Sequence, residues 1–183
     1  VELPLKGAYL IEFEKAGDDR GFFGRFYCKN EYKNHDLDTN LVQINNSLTR
    51  YKGTLRGVHY QLSPKSETKV GRCINGSMWD VVLDLRKESP TFGKWYGEEL
   101  SADNRKMMYV PKGFGHGFVT LEDYTEVFYL ATEFYAPYHE RVIRWDDPYF
   151  EIDWPLKPKI LSDKDKNAPD FSEQYHLAIE GTK

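Results

Sequence analysis

Met78-Trp79-Asp80-Val81-Val82-Leu83-Asp84-Leu85 alternates along its length. In an extended chain Trp79, Val81, Leu83 and Leu85 fall on one side, and Asp80 and Asp84 on the other. Successive side chains of a strand point to opposite faces, so a period of two reads as a β-strand. Working outward, Leu41-Val42-Gln43-Ile44-Asn45-Asn46-Ser47 alternates too, with Gln43, Asn45 and Ser47 sharing a face. The pattern predicts further strands at Ala8–Glu12, Phe22–Tyr27, Leu55–Gln61, Thr68–Cys73, Lys94–Leu100, Met107–Val110, Gly117–Thr120, Thr125–Ala131 and Val142–Trp145. Turn signals such as Asn75-Gly76 and Lys112-Gly113 separate several of them. Helix is expected only near Asn30 to Asp36 and Phe171 to Ala178. Many short strands, little helix and 15% aromatic residues point to an all-β sandwich or barrel. A jelly roll enclosing a cup is the expected architecture. In such a cup Gln43, Asn45 and Ser47 face either inward or to solvent, and parity alone leaves both open.

The 183 residues fit a single domain, 40% apolar and 30% charged, with material for a real core. No apolar run approaches the roughly 20 residues that cross a bilayer. The opening Val1-Glu2-Leu3-Pro4 lacks the basic-then-apolar pattern of a signal peptide. Cys28 and Cys73 are too few for a disulfide framework or a four-sulfur zinc site, and they read as reduced thiols of a cytoplasmic protein. A net charge of −4 without a basic cluster argues against nucleic acid as the partner, while a phosphorylated ligand needs only a few placed cations.

Thr54-Leu55-Arg56-Gly57-Val58-His59-Tyr60-Gln61 carries the first chemical signal. A neutral imidazole takes a proton near pH 7 and a guanidinium holds a phosphate. Base and anion clamp together suggest proton chemistry on a phosphorylated small molecule. Asp163 and Asp165, following Ser162, offer carboxylates that could orient the ring, although Ser162–Asp165 also reads as an ordinary helix start or turn. Tyr129 lies in the apolar strand Val127–Ala131, where a phenol either packs or donates a proton into a cup. Tyr135 shares its parity, but Pro137 argues against a continuous strand. Pro111-Lys112-Gly113-Phe114-Gly115-His116-Gly117-Phe118 reads as a glycine-rich turn carrying His116. It lacks the ending of a phosphate loop. His59 is followed by Tyr60-Gln61, so the closely spaced histidine pair of a metal-binding cup is missing.

These residues resemble the dTDP-4-dehydrorhamnose 3,5-epimerase family of sugar-nucleotide epimerases. The matching segments are Asp19-Arg20-Gly21-Phe22-Phe23, Val42–Ser47, Leu55–Gln61, Lys69-Val70, Asp84-Leu85-Arg86, Ser89–Trp95, Pro111–Phe118, Trp145–Pro148, Ile152–Pro155 and Leu161–Asp165. They span about Gly7 to Pro169. The resemblance implies a cupin-type jelly roll, a homodimer whose N-terminal strand reaches into the partner's sheet, and no metal or organic cofactor. It implies His59 as general base, Asp165 as its carboxylate partner, Tyr129 as proton donor, and Lys69 near the enolate oxygen. Arg56 matches a position near the sugar, and its guanidinium would hold the diphosphate. Arg20, Gln43, Asn45, His116, Glu140 and Lys164 match substrate-contacting positions, and Tyr135 the aromatic that stacks on the nucleotide base.

Two features stand out against that pattern. Arg56 and His59 have opposite strand parity, so both reach one ligand only if the strand ends or bulges, with Gly57 the candidate. Arg25 stands where many members carry a glutamate near the nucleotide, and arginine cannot accept the hydrogen bonds a carboxylate accepts. The expected activity is inversion at C3 and C5 of a dTDP-linked 4-keto-6-deoxyhexose. The alternatives are a C3-only epimerase, another nucleotide, a silent sugar-nucleotide binding protein, and a metal-dependent cupin oxygenase.

Overall fold

A computed structural model describes residues 1–12 and 14–178. In chain order the strands are β1 (Tyr9–Ile11), β2 (Ala16–Asp18), β3 (Gly21–Phe23), β4 (Gln43–Thr49), β5 (Leu55–Gln61), β6 (Lys69–Asn75) and β7 (Ser77–Asp84). They continue with β8 (Trp95–Ser101), β9 (Met107–Val110), β10 (Phe114–Thr120), β11 (Thr125–Ala131) and β12 (Glu140–Val142). Three short helices accompany them among the described residues: α1 (Lys29–Asn34), α2 (Asp163–Lys166) and α3 (Glu173–His176). One sheet runs β1-β9-β6-β11-β4 and the other β12-β5-β10-β7-β8, while β2 and β3 form a separate hairpin. The pairings in both sheets are antiparallel. This is the all-β sandwich that the alternation anticipates, in the cupin-like form that the family resemblance implies.

The alternating stretch that begins at Met78 lies in β7, inside the second sheet, and its two faces meet different cores. Met78 and Val82 pack between the sheets with Leu100, Met108, Phe114 and Val127. Val81 and Leu83 join Val58, Tyr60, Ile143 and Phe150 on the outer face, beneath the segment that follows β12. Val81, Val82 and Leu83 are each 0% exposed, and burying such a side chain stabilises by roughly 1.5–3 kcal/mol. The polar row is therefore buried as well: Asp80 and Asp84 face inward at 0% exposure. A buried carboxylate needs partners. Asp84 accepts from Arg86, Ser89 and Thr91. On the outer face of the first sheet Tyr32 of α1 packs with Val70, Met107, Tyr109 and Leu130.

Several boundaries differ from the sequence reading. The expected strand Phe22–Tyr27 stops at Phe23, because Gly21–Phe23 pairs locally with Ala16–Asp18. Instead of Val142–Trp145 the strand is Glu140–Val142, paired with Tyr60, Gln61 and His59 of β5. The glycine-rich turn ends at Gly113, whose φ of +82° suits glycine. His116 is thus a strand residue of β10, held between β5 and β7. Among the described residues no helix is long and apolar enough to cross a membrane.

Candidate active site

The site begins with an irregularity in β5. His116 of β10 pairs with His59, and Phe118 pairs with Arg56. Two steps along β10 thus match three along β5, which is a bulge around Gly57. Gly57 has a φ of +121°, and a Cβ there would lie 2.5 Å from the Gly117 Cα and 2.8 Å from the His116 carbonyl oxygen. Only glycine fits that approach. The extra residue cancels the opposite parity, and Arg56 and His59 line one cavity. The Arg56 Nε–H donates to Thr49 Oγ1 at 3.0 Å.

His59 Nε2 lies 2.5 Å from Asp165 Oδ1. A carboxylate accepts from the ring N–H, so the neutral imidazole carries its proton on Nε2 and a lone pair on Nδ1. Asp165 comes from α2, whose N-cap Ser162 accepts its backbone N–H at 3.1 Å. Burial pushes the Asp165 carboxyl up, but the His59 hydrogen bond and charge, with Ser162 and Gly57, hold it below its ordinary value. It is ionised at neutral pH. Its neighbour Lys164 pairs with Glu140 Oε1 at 2.8 Å.

Tyr129 and Lys69 enter from the other sheet. On β11 and β6 Tyr129 pairs with Gly71 and Ala131 with Lys69, so Tyr129 and Lys69 share the inward face. With Arg56, His59, Ser47, His116 and Asp165 they line a cavity of about 570 Å³. Burial, and then the charge of Glu67, raise the Tyr129 phenol above its ordinary value against the pull of Arg56. At neutral pH Tyr129 is a neutral phenol.

A second cavity of about 320 Å³ shares His59, Lys69 and Tyr129 with the first and is also lined by Gln43, Asn45, Gln61, Glu67, Tyr135 and Glu140. The polar row of β4 therefore faces inward, and Ile44 and Leu48 take the exposed side. Tyr135 is 60% exposed at the rim and donates to Glu140 Oε2 at 3.0 Å. Burial pushes Glu140 up, but Lys164, Tyr135 and His59 together bring it below its ordinary value.

Of the residues singled out from the sequence, Arg20 stands apart. It sits on the exposed β2–β3 hairpin, ion-paired with Asp18. Arg25 is exposed too and bonds Glu31 at 2.7 Å. Three further residues escape the sequence reading. Asp80 bonds His116 Nε2 at 2.8 Å from full burial. Gln61 accepts from the Ala136 N–H and donates to the Lys65 and Phe134 carbonyls, which fixes the loop bearing Tyr135. Glu67 meets Lys69 at 3.0 Å. Strand parity carries a signal for Asp80, on the polar row of its strand, but none for Glu67, which precedes both the expected strand and β6. Among the described residues no group of three or more His, Cys, Asp and Glu side chains is placed to hold a metal.

The fold and its relatives define an isomerase of the sugar-nucleotide epimerase class. The dTDP-4-dehydrorhamnose 3,5-epimerase family profile matches residues 2–173. The chain belongs to the dTDP-4-dehydrorhamnose 3,5-epimerase family. The Pseudomonas aeruginosa dTDP-4-dehydrorhamnose 3,5-epimerase is 43% identical over 177 residues, 94% of this chain and 96% of the relative. The crystal structure of the Bacillus anthracis enzyme with TDP and PPi bound is 43% identical, with a TM-score of 0.90 over 93% of this chain and 98% of that one. ChmJ of Streptomyces bikiniensis, a 3'-monoepimerase in complex with dTDP-quinovose, is 32% identical, with a TM-score of 0.87 over 96% and 89%.

Proposed function

We propose that this protein converts dTDP-4-dehydro-6-deoxy-D-glucose to dTDP-4-dehydro-L-rhamnose by proton transfer at C3 and C5. The observation that carries the mechanism is that His59 and Tyr129 reach one cavity from facing sheets. A base and an acid on opposite sides of a sugar ring invert a carbon. The C4 ketone acidifies the hydrogens at C3 and C5. His59 Nδ1 takes one of these protons, and the C–H electron pair moves into the enolate with its charge on the C4 oxygen. The Lys69 ammonium stabilises that oxygen, a contribution of about 3–4 kcal/mol for a preorganised donor. Tyr129 delivers its proton to the opposite face of the carbon. The cycle resets when Tyr129 regains a proton and His59 loses one.

Tyr135, with its exposed ring at the rim, suits stacking on the nucleotide base, while Arg56 and Lys164 supply charge for the diphosphate. His116, Gln43, Asn45 and Glu140 offer hydrogen bonds to the sugar and its linkage. The whole site sits in one jelly-roll domain. A homodimer belongs to this reading: Phe22 and Phe23 are 47% and 68% exposed on a hairpin that carries Arg20 away from its own cavity. A second copy against that hairpin would bury the phenylalanines and recruit Arg20, and a monomer mass in sedimentation would overturn the idea. The free thiols Cys28 and Cys73 agree with a cytoplasmic location.

The similarity to a 3'-monoepimerase supports a second reading, epimerisation at C3 alone. Proton NMR of dTDP-4-dehydro-6-deoxyglucose incubated with the protein in D₂O separates them. Deuterium at both C3 and C5 with the rhamnose epimer formed is the expected result. Deuterium confined to C3 selects the second reading. Absence of exchange at both carbons would sink this substrate, and the CDP- and GDP-linked sugars would then test the nucleotide question that Arg25 raises.

A further inference from the structure

We propose that Glu67 is a positioning residue of the proton-transfer site: its carboxylate anchors the Lys69 ammonium beside Tyr129. The inference rests on the epimerase reading above and assigns a residue that the family resemblance did not. Glu67 Oε1 lies 3.0 Å from Lys69 Nζ, and the two side chains are only 13% and 17% exposed. Both line the smaller cavity with Tyr129. A lysine stem is flexible, and holding its ammonium at one point costs rotamer entropy unless a partner fixes it. A carboxylate two residues earlier is such a partner, within the same cavity. Gly71, paired with Tyr129 on β6, lines the larger cavity beside Lys69 and Tyr129 and adds no side chain of its own there.

Two further charge pairs sit in the cup. Asp165 of α2 holds His59 of β5, and Glu140 of β12 holds Lys164 of α2. Arg56 of β5 favours the ionised form of Tyr129, whereas Glu67 favours the phenol. Glu67 therefore serves two groups of the first sheet: it fixes the cation that meets the enolate oxygen, and it adds to burial, the larger cause, in favouring the protonated phenol of Tyr129. Its position just ahead of β6 lets it reach Lys69 without occupying the floor of the larger cavity, which it does not line.

The test is the pH dependence of kcat and KM for the intact protein and its E67Q and E67D variants with dTDP-4-dehydro-6-deoxyglucose. E67Q keeps the shape and removes the charge. Its kcat should fall about tenfold, the usual scale for one hydrogen bond to a charged group, with KM little changed. The alkaline limb of its kcat profile should move to lower pH, because the phenol of Tyr129 ionises more readily. E67D keeps the charge but shortens the reach, so its kcat should fall while the alkaline limb stays near that of the parent. Parent-like kcat and alkaline limb in E67Q would overturn the inference, as would a loss confined to melting temperature. A parent protein that fails to exchange C3 or C5 protons would instead overturn the epimerase reading and this inference with it.

Discussion

In the proposed mechanism His59, Asp165, Tyr129 and Lys69 form the chemical centre, and each makes a separable demand. His59→Ala should lower kcat by about 10²–10⁴-fold, the usual contribution of a general base. Binding of dTDP, measured by calorimetry, should persist, since the base acts on the transition state. A variant that still turns over would remove His59 from its role. Tyr129→Phe should slow inversion more than deuterium exchange, because abstraction and return on one face need no phenol. Equal losses in both rates, read from the same NMR time course, would contradict that assignment. At this scale the residues whose type already implies chemistry were legible in the chain. Asp80 and Glu67 were not. A carboxylate in a strand or loop is ordinarily a solvated group, and only packing against His116 or Lys69 gives it a task.

At the scale of elements the site depends on one bulge and one short helix. Gly57→Ala would set a Cβ against the backbone of Gly117 and His116, which cannot yield as a flexible side chain does. Its cost should exceed about 1 kcal/mol in urea unfolding, and activity should fall further, since Arg56 and His59 lose their common orientation. Unchanged stability and activity would mean that the bulge relocates freely. Ser162→Ala removes the cap that fixes Asp165 and should cost about 1 kcal/mol of stability, with a reduced kcat. The boundaries of β5, β9 and β11 were legible because turn signals and apolar runs bracket them closely. The bulge was legible as a conflict of parity between Arg56 and His59. The β2–β3 hairpin was not, since all six of its strand residues are exposed and carry no periodic burial.

Across the whole molecule, stability and pH are linked through buried groups. His176 is 0% exposed, with Nδ1 taking the Ser172 N–H at 3.1 Å and Nε2 3.2 Å from the Val142 carbonyl oxygen. Burial lowers its affinity for a proton, against the pull of Ser172 and Val142. Unfolding releases that constraint, so the unfolded ring takes up a proton at a higher pH than the folded one. The contribution is fully present above the unfolded value of about 6.5 and is lost as pH falls through the interval below it. Asp165, depressed in the fold, adds a second loss at lower pH, below its unfolded value of about 3.9. The melting temperature should therefore drop between pH 7 and pH 5, and His176→Gln should flatten that interval. Leu83→Ala, on the outer face of the second sheet, should cost about 2–5 kcal/mol in denaturant unfolding.

The sequence by itself determined the β architecture and supplied the side chains to which the proposed proton transfer is assigned. Alternation and turn chemistry are local, and a short chain segment expresses them without help. Tertiary structure decided which face of each strand became the inside. Both faces of β7 are buried, so local alternation could not tell the cup from the outer core. It also decided which charges meet. Glu67 with Lys69 is a local pair, but the joining of Asp165 to His59, and of His59 to the cavity shared with Tyr129, brings together three distant segments of chain. Such encounters follow from how two sheets stack, and no window of sequence contains them.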